Sequence, residues 1–285
     1  MGSLSVNAYA KINLNLTVTG KLENGYHTIK SVMQSVSLCD IVTLNLNNSG
    51  IITINSDDNS MPLDDTNIAC KAAKNFFRTA DINSGLSVYI EKNIPQKAGL
   101  GGGSADGAAV LTGLNNLFDN LFSREQLLSL GAKIGADIPF CITGGTCLCE
   151  GIGEKITALP PLPDCKIIIA KGADGISTIT AYQEIDKIIS KCEYDKYNFD
   201  ISVYSKGLPE IAKSASNIFE AVTNLPDILK IKTIMKSHGA LTALMSGSGS
   251  AIFALFDRSA ESKAKACLED LAGNGFWAQE CVNNS

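Results

Sequence analysis

The stretch Pro95-Gln96-Lys97-Ala98-Gly99-Leu100-Gly101-Gly102-Gly103-Ser104-Ala105 decides how the rest of the chain is read. It stands between an apolar run, Leu86 to Glu91, that reads as a strand and an alanine-rich run that reads as a helix. Glycines let a backbone approach a ligand closely, and a helix start offers unpaired N–H groups at the positive end of its dipole. Those are the needs of a phosphate cradle. Glycine content alone also leaves a flexible loop open. No Gly-Lys-Ser/Thr closes the run, so it is not a Walker A loop, and Asp106-Gly107 does not fit a GxGxxG fingerprint.

Upstream, Ala8, Ala10, Ile12, Leu14, Leu16 and Val18 alternate with Asn7, Tyr9, Lys11, Asn13, Asn15 and Thr17. That pattern predicts a half-buried strand with a polar, solvated face. Asn24-Gly25 reads as a tight hairpin turn, followed by extended segments from Thr28 to Leu46 and Ile51 to Asn55 and a helix from Thr66 to Thr79. Downstream of the loop, Val110, Leu114, Leu117, Phe118 and Leu121 fall at helical spacing. Ser123 opens another helix, with Gln126 completing a capping box, and that helix ends near Gly135. Ile142 to Ile156 reads as a hairpin, and Leu159-Pro160-Pro161-Leu162-Pro163 as a linker. Beyond it follow a strand (Cys165 to Ala170), a helix (Ser177 to Ile189) and a polar, tyrosine-bearing stretch. Helices near Asn217 and Asp227, a hairpin from Leu241 to Phe256, a helix from Ser259 to Leu271 and a strand from Phe276 to Val282 complete the chain. Strands and helices mix in both halves, which predicts two α+β domains, 1–160 and 161–285.

Composition narrows the class. With 45% apolar and 19% charged residues, the 285-residue chain has the balance of a globular protein rather than a disordered one. A net charge of −5 argues against a general polyanion binder, so no nucleic-acid partner is expected. It leaves room for a small anion held by local cations and backbone amides. No run approaches about 18 apolar residues and no signal peptide is evident, so neither membrane association nor export is expected. Nine scattered cysteines without a CxxC pair read as reduced fillers of a cytoplasmic protein. His27 and His238, the only histidines, are not at zinc spacing to a cysteine pair.

Four further signals are weak singly. Lys11 lies on the polar face of the first strand. Tyr26-His27 follows the Asn24-Gly25 turn. Asp137 sits in Gly135-Ala136-Asp137-Ile138-Pro139, where alone it would be a turn-former. Met245-Ser246-Gly247-Ser248-Gly249-Ser250 alone reads as a hairpin turn. With the Gly-rich loop they occur in one order along nearly the whole chain. In that order the sequence resembles the GHMP superfamily of small-molecule kinases. The segment Ala10-Lys11-Ile12-Asn13-Leu14 followed by Gly25-Tyr26-His27 narrows the resemblance to the branch acting on a cytidyl substrate. The sequence departs from the branch at Tyr9 and Ser250, where proline is usual, and matches it least at about 190 to 210.

The resemblance implies a ribosomal-protein-S5-like N-terminal domain and a ferredoxin-like C-terminal GHMP domain. It implies ATP-dependent phosphorylation of the C2 hydroxyl of 4-diphosphocytidyl-2-C-methyl-D-erythritol, in non-mevalonate isoprenoid synthesis. It casts Asp137 as base and Lys11 as its partner, and gives the ATP phosphates to Pro95, Gln96, Lys97, Ala98, Gly99, Leu100, Gly101, Gly102, Gly103, Ser104 and Ala105. Asn13, Tyr26, His27, Tyr182, Gly247 and Ser248 are the implied substrate contacts. Tyr26 and Tyr182 would stack on the cytosine, and His27 would bond to its edge. Mg²⁺ is expected with ATP; Ser104 is a candidate contact, and no clear carboxylate ligand is evident. A monomer or homodimer is expected. The alternatives are another GHMP alcohol kinase, acting for instance on homoserine or mevalonate, and a non-catalytic nucleotide sensor.

Overall fold

The computed structural model describes residues 2–188 and 198–284. In chain order the elements begin with β1 (Ser3–Lys21), β2 (His27–Asn47), β3 (Ile52–Ser56), α1 (Ile68–Ala80), β4 (Gly85–Glu91) and α2 (Gly102–Leu117). Next come α3 (Arg124–Ala132), α4 (Ile138–Thr143), β5 (Thr146–Gly151), β6 (Lys155–Ala158), β7 (Cys165–Lys171) and α5 (Thr178–Ile188). After these come α6 (Leu208–Ser214), β8 (Ser216–Asn217), α7 (Pro226–Ser237), β9 (Thr242–Met245), β10 (Ile252–Asp257), α8 (Glu261–Gly273) and β11 (Trp277–Cys281). They form two compact units, which interleave along the chain. One holds residues 2–10, Leu38–Pro95 and Gly101–Gly144, the other Lys11–Ser37, Gln96–Leu100 and residues 145–284. β1 and β2 each contribute to both.

In the first unit β4 pairs antiparallel with β2, from Ile41↔Glu91 to Asn47↔Gly85, and parallel with β3, from Ile52↔Leu86 to Ser56↔Ile90. α1 and α2 pack on each other beside α3 and α4, burying Phe76, Leu111, Leu114, Ile138 and Phe140. Local chemistry sets the helix ends. Asn67 Oδ1 accepts the Ala69 N–H at 2.8 Å to start α1, and Asp81 ends it in the left-handed region. The expected Ser123–Gln126 capping box opens α3. α2 stops at Leu117, before the full apolar period is used. Asp119 and Asn120 take φ of 53° and 58°, so Leu121 leaves the helix and is exposed. The hairpin expected from Ile142 is shorter, because α4 occupies its start. Pro139 sits in the first turn of α4, where a missing N–H costs nothing.

In the second unit β5 pairs antiparallel with the first part of β2 and with β6. β8 pairs parallel with β1 at Asn15↔Ser216 and Leu16↔Asn217. A separate four-stranded antiparallel sheet has the order β11-β7-β10-β9. Its central strand β7 is a continuous apolar run, and Ile167 to Ala170 are fully buried, which requires cover on both faces. α7 and α8 supply cover through Ile231, Met235, Cys267 and Leu271. Near Asn217, where the sequence predicts a helix, the chain instead forms β8 and a short 3-10 turn, Ile218–Ala221. α6 has no counterpart in the sequence reading. The tyrosine-bearing stretch and Cys192 fall largely or wholly outside the described residues. Among the described residues no helix is long and apolar enough to cross a membrane. The eight described cysteines are free thiols, six of them buried.

One departure bears directly on the site. The alternation in β1 is real, but its polar face is not solvated. From Ala10 to Val18 every residue is buried, including Lys11 at 4% exposed, Asn13 at 1% and Asn15 at 0%. Buried polar groups need partners, and those partners come from distant parts of the chain.

Candidate active site

Lys11 is the centre of the cluster in the second unit. Its Nζ donates to the Gly99 carbonyl at 2.6 Å and to Asn13 Oδ1 at 2.6 Å. Asn13 Nδ2 in turn donates to Ser31 Oγ at 2.8 Å, and Ser31 Oγ donates to the Asn15 carbonyl. Each lysine and amide on the inward polar face of β1 is thus satisfied, which is the condition for burying them.

The two glycine-rich runs meet on this cluster. Ser246 Oγ donates to the Gly99 carbonyl at 2.9 Å, and the Ala251 N–H donates to the Ala98 carbonyl at 3.0 Å. Gly99 has φ of 77°, and a Cβ there would lie 2.0 Å from the Ser246 carbonyl oxygen. Gly247 has φ of 56°, and its Cβ would lie 2.9 Å from the Gly99 oxygen and 3.1 Å from Lys11 Nζ. Asn217 braces the second run, giving its amide to the carbonyls of Met245 at 2.7 Å and Gly247 at 2.8 Å. Met245 to Ser250 is therefore a turn whose backbone seats the first loop. A cleft of about 410 Å³ opens beside it, lined by Lys97, Gly99, Ser177, Thr178 and Gly249 among others. Ser248 bonds to Thr178 there, hydroxyl to hydroxyl at 2.9 Å.

In the first unit the same loop continues into α2. Gly101 is the N-cap, at φ of 73°, and supplies no side-chain cap. The first-turn N–H groups of Gly102, Gly103 and Ser104 are therefore left to an external acceptor at the positive end of a 16-residue helix. The missing Cβ of Gly102 also serves packing: a Cβ there would meet Ile94 Cγ2 at 3.1 Å and stand 3.5 Å from Lys92 Nζ. That ammonium bonds to Asp40 and to Asp106 Oδ2. Two carboxylates share one lysine, and Asp106 Oδ1 has no partner among the described residues. Burial pushes the Asp106 carboxyl up to about 7, against the pull of Lys92. Asp137 belongs to this unit too. It is half-buried at the N-cap of α4 but makes no capping bond with its side chain, so a turn-forming role does not account for it.

The third cluster lies at the β1–β2 hairpin, in the second unit. Tyr26 sits by the turn, its N–H on Asn24 Oδ1, and is 61% exposed with no ring partner among the described residues. His27 is buried, and its ring stacks on Tyr182 of α5, centroids 4.6 Å apart and planes 18° apart. Phe219 meets Tyr182 edge to face at 4.9 Å. Asp186 Oδ1 lies 2.7 Å from His27 Nε2, and Asp186 Oδ2 lies 2.5 Å from Lys21 Nζ. Burial raises the Asp186 carboxyl, but bonds from Lys21 and His27 outweigh it and hold the group below its usual range.

Of the residues singled out in the sequence, Lys11, Asn13, Gly99 and Gly247 are brought into one cluster, and His27 and Tyr182 into another. Tyr26 stands apart from Tyr182, one face of which His27 covers. Sequence reasoning missed Asp186, Asn217, Ser246 and Thr178. Asp186 carried a usable signal, since it follows Tyr182 by four positions on α5 and shares its helix face. Asn217 carried none.

The GHMP kinases N terminal domain matches residues 67–145 and the GHMP kinases C terminal domain matches residues 205–273. A 4-diphosphocytidyl-2-C-methyl-D-erythritol kinase of Clostridium tetani is 45% identical over 89% of this chain and 91% of its own. One from Clostridium botulinum (strain Eklund 17B / Type B) is 43% identical over 94% of this chain and 95% of its own. A crystal structure of a 4-(cytidine 5'-diphospho)-2C-methyl-D-erythritol kinase superposes with a TM-score of 0.76 at 26% identity, covering 99% of this chain and 100% of that one. A homoserine kinase from Cytophaga hutchinsonii reaches 0.80 at 22% identity, over 100% and 95%, which shows shared fold alone.

Proposed function

The chain belongs to the 4-diphosphocytidyl-2-C-methyl-D-erythritol kinases of the GHMP family, and from that premise we propose how its own residues carry an ATP-dependent phosphorylation of the C2 hydroxyl of that cytidyl substrate. Residues Pro95 to Ala105 form the loop that holds the nucleotide phosphates, with the first-turn N–H groups of Gly102, Gly103 and Ser104 as its donors. The fit to ATP is supported by the uncapped first turn of α2 and by Gly99, whose missing Cβ keeps the loop seated on the Ser246 carbonyl. Asp137 takes the proton of the substrate hydroxyl as the oxygen attacks the γ-phosphorus. Lys11 is its partner in the reaction and offsets charge on the transferring group.

Among the described residues no three His, Cys, Asp or Glu side chains cluster as a metal cage. A Mg²⁺ carried by the nucleotide would therefore keep mostly phosphate and water oxygens, with Ser104 as the protein contact. When bound it neutralises phosphate charge; none of the roles given to the residues depends on it. Tyr26 offers an exposed ring for the cytosine to stack on, with His27 at the base edge and Asn13, Tyr182, Gly247 and Ser248 completing the substrate contacts. Cytoplasmic location and a monomeric or homodimeric state belong to the same reading.

The observation that carries the reading is Lys11, a buried ammonium bonded to the carbonyl of the Gly-rich loop. A lysine kept only for solvation has no cause to be there. The test is ADP release with the cytidyl substrate by wild type and Asp137→Asn. Removing a general base costs about 10²–10⁴ in rate, so turnover should collapse while ADP still binds by calorimetry. Near-wild-type turnover of a pure Asp137→Asn preparation would remove Asp137 from the chemistry.

A further inference from the structure

The His27 imidazole is held from two sides by one helix. Tyr182 fixes the plane of the ring, and Asp186, four residues on, holds Nε2 at 2.7 Å. Lys21 anchors the other carboxylate oxygen at 2.5 Å. A carboxylate accepts and has no proton to give, and an ammonium only donates. The arrangement of Lys21, Asp186 and His27 therefore runs in one direction, with the His27 proton on Nε2. Among the described residues Nδ1 has no hydrogen-bond partner. It is also not a buried orphan, because among the described residues only Asp106 Oδ1 is buried without a partner. Nδ1 therefore keeps a small solvent-accessible opening.

We propose that Asp186 is a specificity-determining positioning residue: it selects the Nε2–H form of His27 and leaves Nδ1 as an acceptor for the exocyclic amino group of a cytosine ring. The proposal rests on the reading of His27 as the base-edge contact. In a neutral imidazole the nitrogen without the proton carries the lone pair. A cytosine amino group donates to that lone pair. A uracil carries a carbonyl at the same ring position, and two lone pairs would then face each other. Stacking does not tell these bases apart, whereas edge hydrogen bonds do. An edge contact of this kind discriminates by roughly tenfold to a hundredfold.

The direction of the chain makes the consequence of one substitution specific. In Asp186→Asn, Lys21 still requires an acceptor and takes the amide oxygen. The amide NH₂ then faces His27 Nε2, which must become the acceptor, and the ring proton moves to Nδ1. The Nδ1–H donor now suits a carbonyl better than an amine. In Asp186→Ala the ring loses its guide, and preference should fade without reversing.

The test uses the full-length enzyme, with 4-diphosphocytidyl-2-C-methyl-D-erythritol and its uridyl analogue as alternative substrates. The expected result is that Asp186→Asn lowers the cytidyl-to-uridyl ratio of kcat/KM by at least about tenfold. The Michaelis constant for ATP should stay unchanged. Nitrogen-15 NMR of His27 at neutral pH should show the Nε2–H form in wild type and the Nδ1–H form in the variant. An Nδ1–H or doubly protonated ring in wild type overturns the proposal even if neither variant folds. An unchanged selectivity ratio in folded Asp186→Asn overturns it while leaving the base-site reading intact. A wild-type enzyme that uses both substrates equally overturns both together.

Discussion

Replacing Gly99 with alanine adds one methyl group where the backbone leaves no room. At φ of 77° the glycine already occupies the left-handed region, which costs an L-residue about 1–2 kcal/mol. The new Cβ would also fall 2.0 Å from the Ser246 carbonyl oxygen, which is backbone and cannot rotate away. The two runs must part by more than about an ångström to reach van der Waals contact. That movement breaks the 2.6 Å bond from Lys11 Nζ and the 2.9 Å bond from Ser246 Oγ to the Gly99 oxygen. A charged hydrogen bond contributes about 1.5–3 kcal/mol and a neutral one about 0.5–1.5. The perturbation is therefore roughly 3–6 kcal/mol, shared between lower stability and a displaced loop. Because an ångström of misplacement can cost about a hundredfold in rate, turnover should fall at least that far. Urea denaturation and ADP calorimetry measure the two parts. Gly273→Ala, with nothing within 4 Å of its Cβ, is the control and should be neutral or slightly stabilising. A Gly99→Ala protein with wild-type stability and ADP affinity would refute the reasoning, because the loop would then not be seated as described.

Tyr26→Ala should raise the Michaelis constant for the cytidyl substrate about tenfold to a hundredfold with the ATP constant unchanged. Because the ring is 61% exposed, thermal stability should hardly move, and a large drop in melting temperature would show a structural role instead. Cys165, whose thiol burial pushes up to about 12, should resist alkylation at pH 8 until denaturant is added; mass-mapped labelling of native protein at Cys165 would contradict that burial. The low Asp186 carboxyl gives a further sign. Its contribution is complete above the unfolded carboxylate value of about 4 and is lost as pH falls through its lower folded value. His27 orientation should therefore hold throughout the neutral range, as NMR of the ring would follow.

Local chemistry in the sequence was enough for several features. The Ser123–Gln126 capping box and the strand β7 depend on residues within a few positions of one another, as does the hairpin at Asn24-Gly25, although its turn centres on Glu23-Asn24 and only Gly25 takes a positive φ. The periodicity of β1 also showed which side chains share a face. It did not show that the polar face is buried, because burial depends on what arrives from elsewhere: Ser31, Ser246 and Tyr204 bond to Asn13 and Asn15 from 18 to 233 positions away. The end of α2 and the start of α4 were missed although their signals were local, two left-handed residues after Leu117 and a proline in a first turn. Asn217 is different. Its side chain leaves the helical option for the carbonyls of Met245 and Gly247, 28 and 30 positions on, and no nearby residue announces that. The order of the motifs carried a resemblance to a kinase family, and the chemistry came with that resemblance rather than from any one residue. Only the tertiary structure showed that Gly99 is seated on Ser246 and that Asp186 bonds to His27. A backbone carbonyl has no identity in a sequence, and an i,i+4 pair does not disclose which ring its face will meet.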